Sequence, residues 1–147
     1  MIMSNNTFES NDEQATREFI RILSAARPLW NEFLPDPKNH HARGLLAVDD
    51  TAYIGDLSLD EARKIIRLVI ILRPSHRFGQ SELHHLLRFQ NRSMGLSSIT
   101  FDEETHTLQI RSHALLPESD AATTIVREIL RDAIEVLNDR DVQDLTS

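Results

Sequence analysis

Between Ala62 and Pro74 the chain carries its most apolar stretch, and the pattern fits a strand that is apolar on both sides. Alternate side chains of a strand point to opposite faces. One set is Ile66, Leu68, Ile70 and Leu72, and the opposite set is Ile65, Arg67, Val69 and Ile71. A helix is the alternative, because apolar residues also recur at about 3.6-residue spacing: Leu59, Ala62, Ile65, Ile66, Val69 and Ile70. Five β-branched residues between positions 65 and 71 favour the strand.

One hairpin is predicted before this stretch and another after it. In the first, Leu45 and Ala47 lie on one short strand and Tyr53 on the next, with a tight turn at Asp49-Asp50 between them. In the second, apolar and polar residues alternate around the turn "DEETH", and the paired apolar positions are Ile99, Phe101, Leu108 and Ile110.

Three helices complete the predicted elements. The first begins at Ser10, which forms a capping box with Glu13, and ends before Pro28. The second begins at Ser81 and ends at Gly95. After Pro117, a third helix is indicated by apolar residues at three- and four-residue steps, namely Ala122, Ile125, Val126, Ile129, Leu130, Ala133 and Leu137. The segment "PDPKNHH" is predicted as a connector, because it is rich in proline and asparagine.

The resulting order, α-β-β-β-α-β-β-α, predicts an α+β fold with an antiparallel five-stranded sheet and helices. A chain of 147 residues is long enough for one domain and too short for two. We place this domain at residues 12–140, between a flexible N-terminal tail at residues 1–11 and a flexible C-terminal tail at residues 141–147.

In so short a chain, the helices can cover only one face of such a sheet. Full burial of one aliphatic side chain stabilises a protein by about 1.5–3 kcal/mol, and large exposed apolar patches mark interaction sites. The sequence therefore predicts a partner-binding face that is formed by Ile65, Arg67, Val69 and Ile71. The alternative is that the first helix crosses to this side and covers it.

Composition narrows the class of partner. A formal net charge of −7 and a pI of about 5.4 disfavour binding to nucleic acid or to an anionic membrane surface. The absence of cysteine excludes disulfides and thiolate chemistry. The first residues lack the basic and apolar regions of a signal peptide, and the longest apolar run is too short to span a bilayer. The expected location is therefore cytoplasmic.

The sequence predicts no catalytic, cofactor-binding or metal-binding residue. Its seven histidines include the adjacent pairs His40-His41 and His84-His85, but no H-E-x-x-H pattern occurs. Nucleophile motifs and glycine-rich phosphate loops are also absent from the sequence. The "DEETH" segment lacks the calcium-loop pattern and fits a solvated turn. A sensor or enzyme that uses the histidines or the basic segment Arg73–Arg77 is kept as an alternative.

Four segments resemble class I type III secretion chaperones and the related YbjN-like proteins of the same CesT-like superfamily. "GLLAVDDTAYI" resembles their first hairpin, and "LHHLLRFQN", with Asn91 shortly before Gly95, resembles the helix that precedes their last hairpin. "ITFDEETHTLQI" resembles their acidic hairpin, and "ALLPESDAATTIVREILRDAIEVLNDR" resembles their closing segment and long helix. The resemblance covers roughly residues 12–140.

The resemblance implies a non-enzymatic, homodimeric protein of the α+β class. Secretion chaperones of this fold bind an unfolded segment of a client protein on apolar patches. The YbjN-like proteins share the fold and are described as sensory-transduction or stress regulators, so a signalling partner is the second possibility for the bound protein. Neither branch implies a cofactor.

Overall fold

The centre of the molecule is a six-stranded antiparallel sheet. The computed structural model describes residues 2–30, 32–48, 51–74, 79, 81–84, 88, 97–117 and 121–146. Its strands are β1 (Glu32–Asp36), β2 (His41–Val48), β3 (Thr51–Asp60), β4 (Ile65–Leu72), β5 (Ser97–Asp102) and β6 (Thr107–Leu115). They are arranged in the order β1-β2-β3-β4-β6-β5. The α+β class and the antiparallel sheet are confirmed, with six strands instead of five.

The apolar stretch forms β4, as predicted. This strand pairs with β3 on one side and with β6 on the other, so it lies at the centre of the sheet. Two neighbouring strands satisfy its backbone hydrogen bonds. Its β-branched side chains also pack well on a pleated surface, which explains why the helical alternative is not adopted.

Both predicted hairpins are confirmed. In the first, β2 and β3 pair as far as Val48 opposite Thr51, while Asp49 and Asp50 themselves lie outside the described residues. In the second, Ile99 lies opposite Ile110, and Phe101 lies opposite Leu108. The intervening turn is stabilised by the Asp102 carboxylate, which accepts a hydrogen bond from the Glu104 backbone N–H at 3.0 Å.

Strand β1 corrects the prediction that "PDPKNHH" is only a connector. This strand covers Glu32–Asp36, and a short 3-10 helix follows at Pro37–Asn39. A proline within a run weakens the sequence signal for a strand, but edge strands tolerate one, because the missing N–H can face solvent. β1 pairs only with β2 in the described sheet, and Pro35 therefore fits there.

Helix α1 covers Ile2–Ala26 and ends before Pro28, as predicted. The predicted cap at Ser10 is wrong, since Ser10 lies inside this helix. No proline or glycine precedes Ser10, so nothing in the backbone stops the helix from extending towards the N-terminus. Of the predicted second helix, residues 81–84 and 88 are helical, and Asn91, Met94 and Gly95 lie outside the described residues.

Helix α2 covers Ala121–Leu137 and confirms the predicted amphipathic helix. Its buried side chains are Val126, Ile129, Leu130, Ala133, Val136 and Leu137. A short helix α3 follows at Arg140–Thr146, and Val142 within it is 1% exposed. The chain therefore continues to pack on the domain beyond residue 140, where the sequence analysis placed the end of the domain.

The helices cover one side of the sheet, which we call the inner face. α1 contacts α2, and α2 contacts β4, β5 and β6. Helix and sheet side chains form one buried cluster, which includes Phe19, Ile22, Leu57, Ile66, Leu68, Ile70, Ile110, Ile129 and Leu130. The opposite side of the sheet, the outer face, carries the second apolar set of β4.

Trp30 connects the end of α1 to the sheet. Its indole Nε1 donates a hydrogen bond to the Leu45 carbonyl oxygen at 2.9 Å, and its ring centroid lies 5.2 Å from that of Phe33. Gly44 and Gly55 lie opposite each other beneath this region. A Cβ at Gly55 would lie 3.3 Å from Trp30 Cζ2, and one at Gly44 would overlap the backbone of β1. The glycine pair therefore lets β1 and Trp30 pack closely on the sheet.

Candidate protein-binding surface

The two sides of β4 differ sharply in exposure. Ile66, Leu68, Ile70 and Leu72 on the inner face are at most 1% exposed. On the outer face, Ile65, Val69 and Ile71 are half-buried, and Arg67 is exposed. None of these three aliphatic side chains belongs to the buried cluster or to the partly buried residues that pack against it. The alternative in which α1 covers this side is not observed, because α1 packs into the cluster of the inner face.

Neighbouring strands extend this apolar surface. Ile54 of β3 lies directly opposite Ile71, and Leu45 of β2 lies directly opposite Ile54. We call Leu45, Ile54 and Ile71 the apolar band. Paired residues of adjacent strands point to the same face, so the band runs across three strands, with Val69 next to it along β4. Leu45 is 45% exposed.

Two further exposed leucines lie towards opposite ends of the outer face. Leu34 of the edge strand β1 is 82% exposed, and Leu115 of β6, opposite Ile65, is 72% exposed. Neither leucine is predicted from the sequence to lie on this face, because that placement depends on the position and register of the strands. Isolated exposed leucines are common. Leu115 adds to the apolar surface at Ile65, whereas Leu34 lies opposite Arg43 at the edge of the sheet.

Charged side chains border this patch and are partly neutralised by one another. Asp56 of β3 contacts His41, and one of its oxygens lies 3.4 Å from Arg43 Nε. On β4, Arg67 Nη1 lies 3.8 Å from Asp60 Oδ2. On β6, the guanidinium of Arg111 donates two hydrogen bonds to the side-chain oxygen of Gln109.

The described histidines occupy separate environments. His40 is buried and contacts Glu61, His41 contacts Asp56 on the sheet, and His106 packs edge-on against Phe101. In the part of the chain that the structure describes, no three potential metal ligands come together. Most of the basic segment Arg73–Arg77 lies outside the described residues.

A groove of about 810 Å³ lies between α1, the turn before β4 and the start of α2, away from the outer face. Its charged lining includes Arg17, Glu18, Glu61 and Lys64, and Lys64 Nζ is 3.2 Å from Glu18 Oε2. Lys64 and Glu18 thus form an ion pair within the groove, Glu61 contacts His40, and Arg17 donates a hydrogen bond to the Glu13 carbonyl oxygen. No described helix combines the length and the apolar character that crossing a bilayer requires.

Comparisons with known proteins define the class of fold. No family model matches the sequence, and no curated protein matches it. A chain of the ExsC–ExsE complex superposes with a TM-score of 0.54 at 17% identity, covering 91% of this chain and 95% of that chain. A chain of the Yersinia pestis type III secretion chaperone SycH in complex with a stable fragment of YscM2 superposes with a TM-score of 0.51 at 18% identity, covering 82% and 99%.

The chain therefore has the fold of type III secretion chaperones, as the sequence resemblance implied. Of the four segments that carry the resemblance, the structure places the two hairpins and the long closing helix around β4, and most of "LHHLLRFQN" lies outside the described residues. The sequence identities to these two chains are only 17% and 18%, so the similarity is one of architecture.

Proposed function

We propose that this protein binds a segment of another protein through its outer face, without catalysing a reaction. The observation that carries the proposal is the exposure of β4, whose inner side chains are fully buried while Ile65, Val69 and Ile71 remain half-exposed. Together with Arg67 and the apolar band, they form the proposed binding surface.

The energetics of binding a flexible segment favour such a surface. A segment that becomes ordered on binding loses conformational entropy, and apolar burial must offset that loss. Each half-exposed aliphatic side chain has roughly 1 kcal/mol of burial still to gain, so several adjacent ones are needed. The fold supports the proposal further, because the solved structures that share it are complexes with protein partners.

The finer parts of the proposal come from the sequence and its resemblance. We propose a cytoplasmic homodimer with a single α+β domain in each protomer. The bound partner is the unfolded segment of a client protein in the chaperone-like case, and a signalling protein in the case of a YbjN-like regulator. Both cases use the same surface and need no cofactor.

A selection of random twelve-residue peptides displayed on phage tests the binding surface. Peptides selected on the full chain are expected to bind a Val69→Asp variant at least about tenfold more weakly, because the new carboxylate must be desolvated against an apolar partner. Fluorescence anisotropy with synthetic versions of the selected peptides measures the change in Kd.

The control is Thr124→Asp, which adds the same charge at an exposed position of α2. It is expected to leave peptide affinity unchanged, and both variants should retain the wild-type circular dichroism spectrum. If selection yields no binding peptide, or if Val69→Asp binds the peptides as tightly as the wild type does, the outer face is not the binding surface.

A further inference from the structure

Three basic side chains of the outer face lie together on β4 and β6 next to Val69, and we propose that the bound segment presents a carboxylate to them. The side chains are Arg67, Arg111 and His113, which we call the basic cluster. This inference rests on the proposed function and adds the chemical character of the partner, an extended segment in which apolar residues are followed by Asp or Glu.

The register of β4 and β6 brings the cluster together. Arg111 lies directly opposite Val69, and His113 lies directly opposite Arg67, so all three basic groups occupy adjoining positions of one face. On the next strand, β5, the exposed and uncharged Ser98 lies directly opposite Arg111. On the other side, Arg67 is paired with Asp60, and Asp56, which lies opposite Val69, is paired with His41 and Arg43. Among the described residues, the guanidinium of the cluster that no carboxylate compensates is therefore that of Arg111.

Arg111 differs from the other arginines of the outer face in its partner. Its Nε and Nη2 donate to Gln109 Oε1 at 3.1 and 2.7 Å, and it contacts no carboxylate in the described part of the chain. Arg43, in contrast, shares Asp56 with His41. A guanidinium has five N–H donors, so Arg111 keeps donors for an incoming carboxylate, which it can bind with charge-assisted hydrogen bonds.

The distance from the apolar band to Arg111 sets the spacing in the partner. Leu45 and Arg111 lie on strands three positions apart in the sheet, β2 and β6. Adjacent strands are about 4.8 Å apart, so the separation across the strands is about 14 Å. An extended chain rises about 3.3 Å per residue, and its alternate side chains face the same way. Arg111 also lies two residues along β6 from Gln109, the residue opposite Ile71, so its full separation from Leu45 is about 16 Å. The backbone from i to i+4 spans about 13 Å, and the long Arg111 side chain reaches across the rest. A segment that crosses the face obliquely therefore places apolar residues at i and i+2 and an acidic residue at i+4.

The random peptides displayed on phage test this spacing when they are selected in parallel on the full chain and on an Arg111→Glu variant. Wild-type selections are expected to enrich Asp or Glu two residues after the second of two alternating apolar residues. Arg111→Glu is expected to remove that preference and to enrich Lys or Arg instead. For a synthetic consensus peptide, Arg111→Gln should weaken binding roughly fivefold, the effect of one exposed ion pair, while Arg127→Gln on the exposed side of α2 should not.

The outcomes separate this inference from the proposed function. Apolar peptides without an acidic preference that still lose affinity in Val69→Asp would overturn the inference and leave the proposed function standing. Apolar residues enriched at three- and four-residue spacing would overturn the extended geometry. A single-stranded oligonucleotide whose binding depends on Arg111 would assign the cluster to phosphate groups and overturn the carboxylate. Peptides that bind Val69→Asp normally would overturn the proposed function itself.

Discussion

Ile70→Asp is expected to unfold the protein, whereas Ile71→Asp, at the next position of the same strand, is expected to leave it folded. Ile70 is 0% exposed and lies between Gly55 and Ile110 on the inner face. An aspartate there removes a packed side chain and buries a carboxylate with no cationic partner, a loss of about 4–5 kcal/mol or more. This is comparable with the total stability of a small domain.

Ile71 points to the outer face, where water reaches its side chain. The aspartate of Ile71→Asp can therefore remain hydrated, and we expect a loss of only about 1 kcal/mol. Partner binding, in contrast, should be abolished. Far-ultraviolet circular dichroism and urea denaturation compare the two variants with the wild type. Equal destabilisation by both substitutions would place Ile71 in the core and contradict the division of β4 into two faces.

Trp30→Ala is expected to destabilise the protein by about 3–5 kcal/mol, the usual cost of truncating a buried tryptophan. Trp30 is 1% exposed, packs against Phe33 and lies over Gly55, where no side chain fills the space. The truncation would leave a cavity between the end of α1 and the β1–β2 edge of the sheet. Trp30 is the single tryptophan of the chain, so the variant has no tryptophan fluorescence. Urea denaturation is therefore followed by circular dichroism.

Trp30→Phe is the matched comparison for this prediction. It keeps an aromatic ring over the glycines but loses the hydrogen bond to the Leu45 carbonyl oxygen, and we expect a cost of roughly 1–2 kcal/mol. A Trp30→Ala loss no larger than that of Trp30→Phe would show that the ring contributes little packing energy. The account of how α1 and β1 are attached would then be wrong.

The elements that the sequence predicted correctly are those whose signal is local. β4 has consecutive β-branched residues, and the hairpin of β5 and β6 has clean alternation around an acidic turn. β1 was missed because Pro35 weakens the strand signal, although the edge of a sheet tolerates it. Helix α3 was missed because it is short, and because the burial of Val142 within it arises only from tertiary packing.

The candidate surface was predicted only in part, for a related reason. Alternation within β4 was enough to place Ile65, Val69 and Ile71 on a face of their own. The contribution of Ile54 and Leu45 follows only from the register of the neighbouring strands. The position of Arg111 beside Val69 depends on β4 pairing with β6, two strands that are not consecutive in the sequence, so no local pattern could predict it.

The central claim is that the outer face of β4 is open to a partner, and the labelling of single cysteines tests it most directly. The natural chain contains no cysteine, so Val69→Cys, Ile71→Cys and Ile70→Cys each carry one thiol. The rate of reaction with a disulfide reagent is measured on the full chain over a dilution series, with and without a selected peptide. We predict fast labelling at positions 69 and 71 in dilute protein, protection by the peptide, and labelling at position 70 that is more than about a hundredfold slower. Thiols at positions 69 and 71 that stay as protected as the one at position 70 at every dilution would show that the chain covers this face itself, and would contradict the account.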